Sequence, residues 1–190
     1  MICASGVRCI NGQTRCGRFP APREARLQAT HMPRIYHRSL TVGPESIDAV
    51  GHVNNREYLR WMEEIAVEHS AAQGWPMERY FEGGHAWVAS THFIEYLRPA
   101  FAGDTLDHYT WIATWDRRTS VRRYAITRQR KLLARGETNW TFVELATGRA
   151  CDLPESVTGA FIVVPEDDHE LRSLGLARRE RLRAAIQPAA

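Results

Sequence analysis

Apolar side chains between residues 54 and 73 recur every three or four positions, which is the spacing of one face of an α-helix. The residues on this face are Tyr58, Trp61, Met62, Ile65, His69 and Ala72. Asn54 is a residue type that caps helix starts, and Gly74 is one that ends helices. We therefore expect a single amphipathic helix over residues 54–73.

The segments around this helix carry the alternating or β-branched pattern of strands. Predicted strands cover residues 35–42, 86–97, 105–115, 120–130 and 132–145. Because short turns join the last three, these form an antiparallel meander. A strand, a long helix and a run of strands make an α+β fold with one helix packed on one antiparallel sheet. One helix leaves an edge and apolar surface of such a sheet uncovered, which favours an oligomer.

The rest of the chain carries weaker signals. Pro154 is placed to open a short helix, and leucines over residues 166–186 predict a C-terminal helix, although Gly175 opposes a continuous one. The expected parts are a disordered extension over residues 1–33, a folded domain over 34–165 and a helical tail over 166–190.

Composition and charge argue against two classes of function, membrane-spanning proteins and nucleic-acid-binding proteins. Of the 190 residues, 44% are apolar and 25% charged, as in a globular protein, and no apolar run approaches the roughly 20 residues of a membrane helix. Residues 1–31 hold five arginines and one acid, so the remainder, with 20 basic and 21 acidic residues, is nearly neutral. A neutral domain argues against nucleic-acid binding.

The extension leaves two interpretations open. Its cysteines, Cys3, Cys9 and Cys16, match no zinc or redox spacing, and it lacks the apolar segment of a secretory signal. A cytoplasmic location is the default expectation. The arginine-rich stretch is either an organelle targeting segment or the result of a start codon assigned upstream of Met32.

Residues 48–58, D-A-V-G-H-V-N-N-R-E-Y, place a carboxylate in a glycine-containing loop just before the predicted helix. A helix start offers unpaired backbone N–H groups and a partial positive charge, which can hold a polarised carbonyl oxygen. A carboxylate beside it can act as general base or nucleophile. Hydrolysis of an activated ester needs this combination.

The stretch resembles the 4-hydroxybenzoyl-CoA thioesterase family of hotdog proteins, whose pattern is D-x-x-G-H-V-N-N-x-x-Y followed by a long helix. Residues 93–100 with Gly103-Asp104 resemble the second strand of that family and its turn. Residues 147–149 with Pro154 resemble its last hairpin and closing segment. The resemblance covers residues 34–165.

The resemblance implies a hotdog fold, in which an antiparallel sheet wraps one long central helix, and an acyl-CoA thioesterase. Asp48 would be the catalytic carboxylate, as general base or nucleophile, and the Asn55 backbone N–H would bind the thioester oxygen. Gly51 would let the loop pass close to the acyl group, and His52 and Asn54 would line or brace it. Two subunits would pair edge to edge in a homodimer or homotetramer, with active sites at the interface.

Eight basic residues without an intervening acid follow between residues 117 and 135. A solvated strand face is the simple interpretation. Coenzyme A carries phosphates that need a cationic rim, and the family binds the nucleotide near this hairpin. Arg117 and Arg118 are therefore candidate phosphate contacts. Acyl carrier protein is acidic and is a second candidate partner for this surface.

Other candidate groups have simpler interpretations. Glu63 and Glu64 on the helix are expected to be solvated or interface residues, and His69 a hydrogen-bonded core histidine. The remaining histidines form no ligand set for a metal; these are His85, His92 and His108. Neither a metal nor a cofactor is expected beyond the CoA of the substrate. The alternatives to an acyl-CoA thioesterase are a non-catalytic acyl-CoA-binding module and a thioesterase for acyl carrier protein.

Overall fold

The computed structural model describes residues 33–177. Its strands are β1 (Ile35–Thr41), β2 (His85–Tyr96), β3 (Thr105–Trp115), β4 (Thr119–Arg128) and β5 (Lys131–Glu144). Its helices are α1 (Asn55–Ala72), α2 (Met77–Glu82), α3 (Glu155–Thr158) and α4 (His169–Ser173), and a 3₁₀ turn covers Pro44–Ser46. The predicted extension lies outside the described residues except for Pro33.

The five strands form one antiparallel sheet in the order β1-β3-β4-β5-β2. The sheet therefore contains the predicted meander β3-β4-β5, and β2 lies at one edge. One long helix packs against the sheet, so the expected α+β architecture is confirmed.

Helix α1 begins and ends where its sequence predicts. The Asn54 side-chain oxygen accepts the backbone N–H of Arg56 at 3.0 Å, and Gly74 has a φ of +80° just after the helix. The predicted apolar face is buried except for its last member, Ala72, which is exposed. Burial of each large apolar side chain contributes about 1.5–3 kcal/mol, so this face anchors the helix to the sheet.

The helix approaches the sheet closely at β5. A Cβ atom at Gly136 would lie 2.5 Å from Cε of Met62 and 3.3 Å from the backbone oxygen of Phe93. Because real Cβ contacts are longer, glycine at this position allows the middle of α1 to rest on the strand.

Two helices differ from the sequence prediction. The C-terminal helix predicted over residues 166–186 is shorter than expected in its described part, because α4 covers only His169–Ser173 and Gly175 adopts a φ of +74°. Residues 178–186 lie outside the described residues. Helix α2 was not predicted, since its six residues are too few to display a helical period.

Candidate active site

Asp48 lies in a tight loop held by its own backbone. The Asp48 N–H donates to the oxygen of His52 at 2.9 Å, and the Gly51 N–H donates to the Asp48 oxygen at 3.0 Å. Gly51 has a φ of +90°, a conformation that glycine adopts without strain. The Val50 N–H donates to Asp48 Oδ1 at 2.8 Å, which fixes the carboxylate, and the side chain is 27% exposed.

The same loop runs directly into α1. Ile47 and Val53 pair as an antiparallel bridge, and the Asn54 N–H donates to the Ser46 oxygen at 2.9 Å. Asp48 stands one position beyond Ile47 on this short ladder. The backbone therefore fixes the carboxylate relative to the start of the helix.

The first turn of α1 offers one unengaged donor. The Arg56 N–H is taken by the Asn54 side chain, and the Glu57 N–H donates to the Asn54 oxygen at 2.9 Å. The Asn55 N–H has no acceptor among residues 33–177. It is thus available to donate to an oxygen atom of a ligand, at the N-terminus of α1, which is the positive end of the helix dipole.

His52 borders this loop without forming a His–Asp hydrogen bond. Its Nδ1 lies 3.9 Å from Asp48 Oδ1, which exceeds hydrogen-bond distance. The ring packs edge-on against Phe101, with centroids 6.3 Å apart. In this structure His52 lines the loop and forms no hydrogen bond with the Asp48 carboxylate.

A separate cavity of about 490 Å³ lies between the far half of α1, α2, the start of β2 and the middle of the sheet. Its wall is largely aromatic, formed by Tyr80, Phe81, Trp87, Trp115, Trp140 and Phe161. Asp48 does not line it. Within one chain, the candidate catalytic carboxylate and the large cavity are therefore distinct regions.

The two carboxylates on the middle of α1, Glu63 and Glu64, lie in different surroundings. Glu64 forms ion pairs with Arg38 at 2.9 Å and Arg60 at 2.5 Å, which matches the expectation of a solvated residue. Glu63 is half exposed, lies 3.9 Å from Nε2 of His92 and also lines the cavity. The helical pattern did not predict this second role of Glu63.

The floor of the cavity contains a buried guanidinium. Arg122 is 6% exposed, and its Nη1 lies 2.8 Å from Nδ1 of His69. Burial, reinforced by Arg122, lowers the pKa of His69 to about 3, so His69 is neutral and accepts this hydrogen bond. Its Nε2 lies 3.2 Å from the oxygen of Pro33. The expectation of a hydrogen-bonded core histidine is confirmed.

The eight basic residues between 117 and 135, called the basic run below, do not form one solvated strand face. The simple interpretation of this segment is therefore wrong. Arg122 is buried in the cavity floor, and three others pair with acids: Arg123 with Glu137, Arg128 with Asp104, and Arg135 with Glu95. Arg117 and Arg118 remain together at the β3–β4 turn, where their Nε atoms lie 3.5 and 2.7 Å from Asp152 Oδ1. These two stay candidates for a phosphate contact.

Residues 33–177 include no helix that is long and apolar enough to cross a bilayer. In the same span, no group of three or more His, Cys, Asp or Glu side chains is placed to hold a metal ion.

Comparisons with known proteins agree with this architecture. A hypothetical protein from Aquifex aeolicus superposes with a TM-score of 0.62 at 25% identity, covering 68% of this chain and 100% of that one. A 1,4-dihydroxy-2-naphthoyl-CoA thioesterase from Synechocystis gives 0.62 at 20% identity, covering 66% and 94%. A DHNA-CoA thioesterase from Staphylococcus aureus gives 0.62 at 16% identity, covering 74% and 95%.

None of the functionally curated proteins matches the chain significantly. The model of the thioesterase-like superfamily matches residues 42–161, which is more than half of the chain. The matched span includes the Asp48 loop, all of α1 and strands β2 to β5. The chain therefore belongs to the thioesterase-like superfamily and is a thioester hydrolase with the hotdog fold.

Proposed function

We propose that the chain hydrolyses acyl-CoA thioesters, with Asp48 as the catalytic carboxylate and the Asn55 backbone N–H as donor to the thioester oxygen. The observation that carries this proposal is the loop geometry. A carboxylate oriented by the Val50 N–H stands on the ladder that leads into α1, and the first N–H of that helix has no acceptor in the described part of the chain. This carboxylate pattern favours the 4-hydroxybenzoyl-CoA thioesterase branch of the superfamily.

The chemistry follows from these two groups. A hydrogen bond from Asn55 stabilises the negative charge that develops on the thioester oxygen in the transition state. Asp48 either removes a proton from the attacking water or adds to the carbonyl carbon itself, forming an anhydride that water then opens. By both routes the C–S bond breaks, CoA leaves as a thiol, and one water molecule is consumed to give the carboxylic acid.

The acyl group is proposed to occupy the cavity, with its flat part against the aromatic wall. Apolar walls with a few polar groups are typical of small-molecule sites, and aromatic rings stack favourably on one another. Solved structures of the same fold include a 1,4-dihydroxy-2-naphthoyl-CoA thioesterase and a gentisyl-CoA thioesterase. We therefore expect aromatic acyl-CoA thioesters among the best substrates.

A homodimer is proposed to bring the two regions together. Strand β2 is a sheet edge that exposes apolar side chains at or beside it, namely Val88, Phe93, Tyr96 and Leu97. Pairing β2 with the same strand of a second copy would cover this edge. The proposed active site then combines Asp48 of one chain with the cavity of its partner.

Thiol release from a series of acyl-CoA thioesters tests the proposal. Asp48→Asn removes the charge and keeps the shape, so the rate should fall by about 10²- to 10⁴-fold while the circular dichroism spectrum stays unchanged. Asp116→Asn is the matched control, because Asp116 is another turn carboxylate that accepts a backbone N–H, that of Arg117 at 2.7 Å. Near-normal turnover of Asp48→Asn would remove Asp48 from the mechanism.

The same assay separates the alternatives. A non-catalytic acyl-CoA-binding module would bind the thioesters and release no thiol from any of them. A thioesterase for acyl carrier protein would release thiol from the acylated carrier and little from acyl-CoA.

The proposed phosphate contacts have their own test. Replacing Arg117 and Arg118 together by alanine should raise KM for an acyl-CoA and leave KM for the corresponding acyl-pantetheine unchanged, because pantetheine lacks the nucleotide phosphates. Lys131→Ala, an exposed cation at the other end of the hairpin, is the control. Equal KM values for wild type and the double variant would discard the assignment.

A further inference from the structure

Arg122 differs from its neighbours in having no acidic partner. It lies on β4 with 6% of its surface exposed, and no carboxylate of residues 33–177 comes within 4.0 Å of its guanidinium. Arg123, on the next position of the strand, pairs with Glu137 at 3.0 Å. The basic run therefore contains one buried positive charge that the described chain does not neutralise.

The groups around Arg122 do not supply the missing charge. His69 is neutral and accepts one N–H, and Thr110 Oγ1 lies 3.4 Å from the same Nη1 atom. The other electrostatic neighbours are the phenols of Tyr124 and Tyr80. The Nε and Nη2 atoms have no acceptor in the described part of the chain. A buried cation without a counter-charge is costly, so an anion from outside the chain would be favoured here.

Two further donors on the same cavity wall lack partners. Ser120 is 3% exposed, and its hydroxyl has no hydrogen bond in the described structure; the same holds for the indole Nε1 of Trp115. Ser120 precedes Arg122 by two residues and so shares its face of β4, and Trp115 is the cross-strand partner of Ser120. All three line the cavity.

The cavity contains little that would compete for these donors. Glu63 is the acidic side chain on its wall, and it is half exposed at the rim. It is not among the charges that act on Arg122. The volume of about 490 Å³ falls within the range of small-molecule sites.

We propose that this cavity binds a carboxylate at the far end of the acyl group, with Arg122 as its ion-pair partner and Ser120 and Trp115 as additional hydrogen-bond donors. The planar guanidinium matches a carboxylate in shape and charge. The preferred substrates are then CoA monothioesters of dicarboxylic acids whose flat body stacks on the aromatic wall. This assignment deepens the proposed function, since it names the substrate class of the same site.

A binding measurement tests the pocket without any turnover. 4-Carbamoylbenzoate and terephthalamide are matched probes, because both carry an amide in place of the thioester and only the first has a carboxylate. The first should raise the melting temperature of the wild-type protein and the second should not. Arg122→Met, which keeps the length of the side chain and removes its charge, should abolish the shift. Equal shifts with both probes, or no shift with 4-carbamoylbenzoate, would overturn the proposal.

Kinetics give the second measurement. The kcat/KM for the CoA monothioester of terephthalic acid should exceed that for benzoyl-CoA by about 10- to 100-fold, the contribution of a charged hydrogen bond. Arg122→Met should reduce this ratio to about one, and Arg122→Lys should restore part of it. If Arg122→Met does not fold, Ser120→Ala should still lower the ratio severalfold, and an unchanged ratio there would count against the pocket.

The two measurements separate this inference from the proposed function. If 4-carbamoylbenzoate binds through Arg122 but no acyl-CoA is cleaved, the acyl-CoA proposal fails and the carboxylate pocket stands. If both thioesters are cleaved with equal efficiency, the hydrolase stands and the carboxylate pocket fails.

Discussion

The two ends of helix α1 offer a substrate very different surroundings. At its start, Asp48 is 27% exposed in a loop beside the unengaged Asn55 N–H, and it does not line the cavity of about 490 Å³. Along its far half, Ala66 and Ser70 border an aromatic cavity that is open to solvent on one side and whose floor is the buried Arg122. The first region has the proposed reactive groups outside this cavity, and the second has the cavity without the proposed catalytic carboxylate.

This separation bears on how the site is assembled. A helix rises about 1.5 Å per residue, so Ala66 lies roughly 16 Å along the axis from Asn55. An aromatic acyl group is too short to reach from the thioester carbonyl at one end into the cavity at the other. If two copies pair through β2 in opposite directions, the helix start of one comes beside the far half of the other. A single chain then holds two half-sites, each completed by its partner.

Mixing two defective variants should give the largest effect. Asp48→Asn removes the carboxylate, and Val67→Trp places an indole at a cavity-lining position of α1. Each protein alone should lose about 10²-fold activity or more. Hybrid dimers formed by co-expression contain one intact site of two, so the purified hybrid should recover about half of the wild-type rate. The measurement is thiol release after purification through two different affinity tags.

A matched mixture serves as the control. Co-expressing Asp48→Asn with the double variant Asp48→Asn/Val67→Trp leaves no intact site, so its rate should stay at the level of the single variants. Absence of recovery in the first mixture would mean that each chain uses its own cavity, and the comparison between the two ends of α1 would lose its functional meaning.

Local patterns made most of the fold predictable. The helical period placed the start of α1 within one residue, because a cap and an apolar face are adjacent in sequence. The strands predicted over 105–115 and 132–145 match β3 and β5 to within one residue at each end. The Asp48 loop was also predictable as a candidate, since its glycine, its asparagine cap and its carboxylate lie within seven residues.

The cavity could not be predicted in the same way. In the sequence, Arg122 is one of eight similar basic residues, and its burial depends on cross-strand neighbours such as Ile112. Ser120 and Trp115 become a pair only through the register of β3 and β4. Periodicity reports which face of an element is buried; it does not report which polar side chains on that face lack partners.

The next largest effect is expected from acidification, which should lower the free energy of unfolding. Burial lowers the pKa of His69 and of His108 to about 3, from an ordinary value near 6.5. Both are neutral in the folded protein, so the unfolded chain binds more protons below pH 6.5 and stability falls as the pH falls from there toward 3. At pH 5.5 the two should together cost about 3 kcal/mol relative to pH 7.5.

Urea unfolding at a series of pH values measures this loss. His69→Asn should remove about half of the pH dependence and retain the half that comes from His108. His169→Ala is the control, since that side chain is 88% exposed. A pH dependence that His69→Asn leaves unchanged would show that the far half of α1 is not held by a neutral histidine beside Arg122.

The smallest effect on stability is expected at the helix start. Asn54→Ala removes the acceptor of the Arg56 N–H and should lower the free energy of unfolding by about 1 kcal/mol. Because the adjacent Asn55 N–H is the proposed donor to the thioester oxygen, kcat should also fall, with little change in KM. Asp168→Ala is the matched control, since Asp168 caps α4 by accepting the Glu170 N–H at 2.8 Å and lies outside the proposed site. It should lose stability while kcat stays constant; equal losses of kcat in both variants would mean that the Asn54 cap supports only the fold.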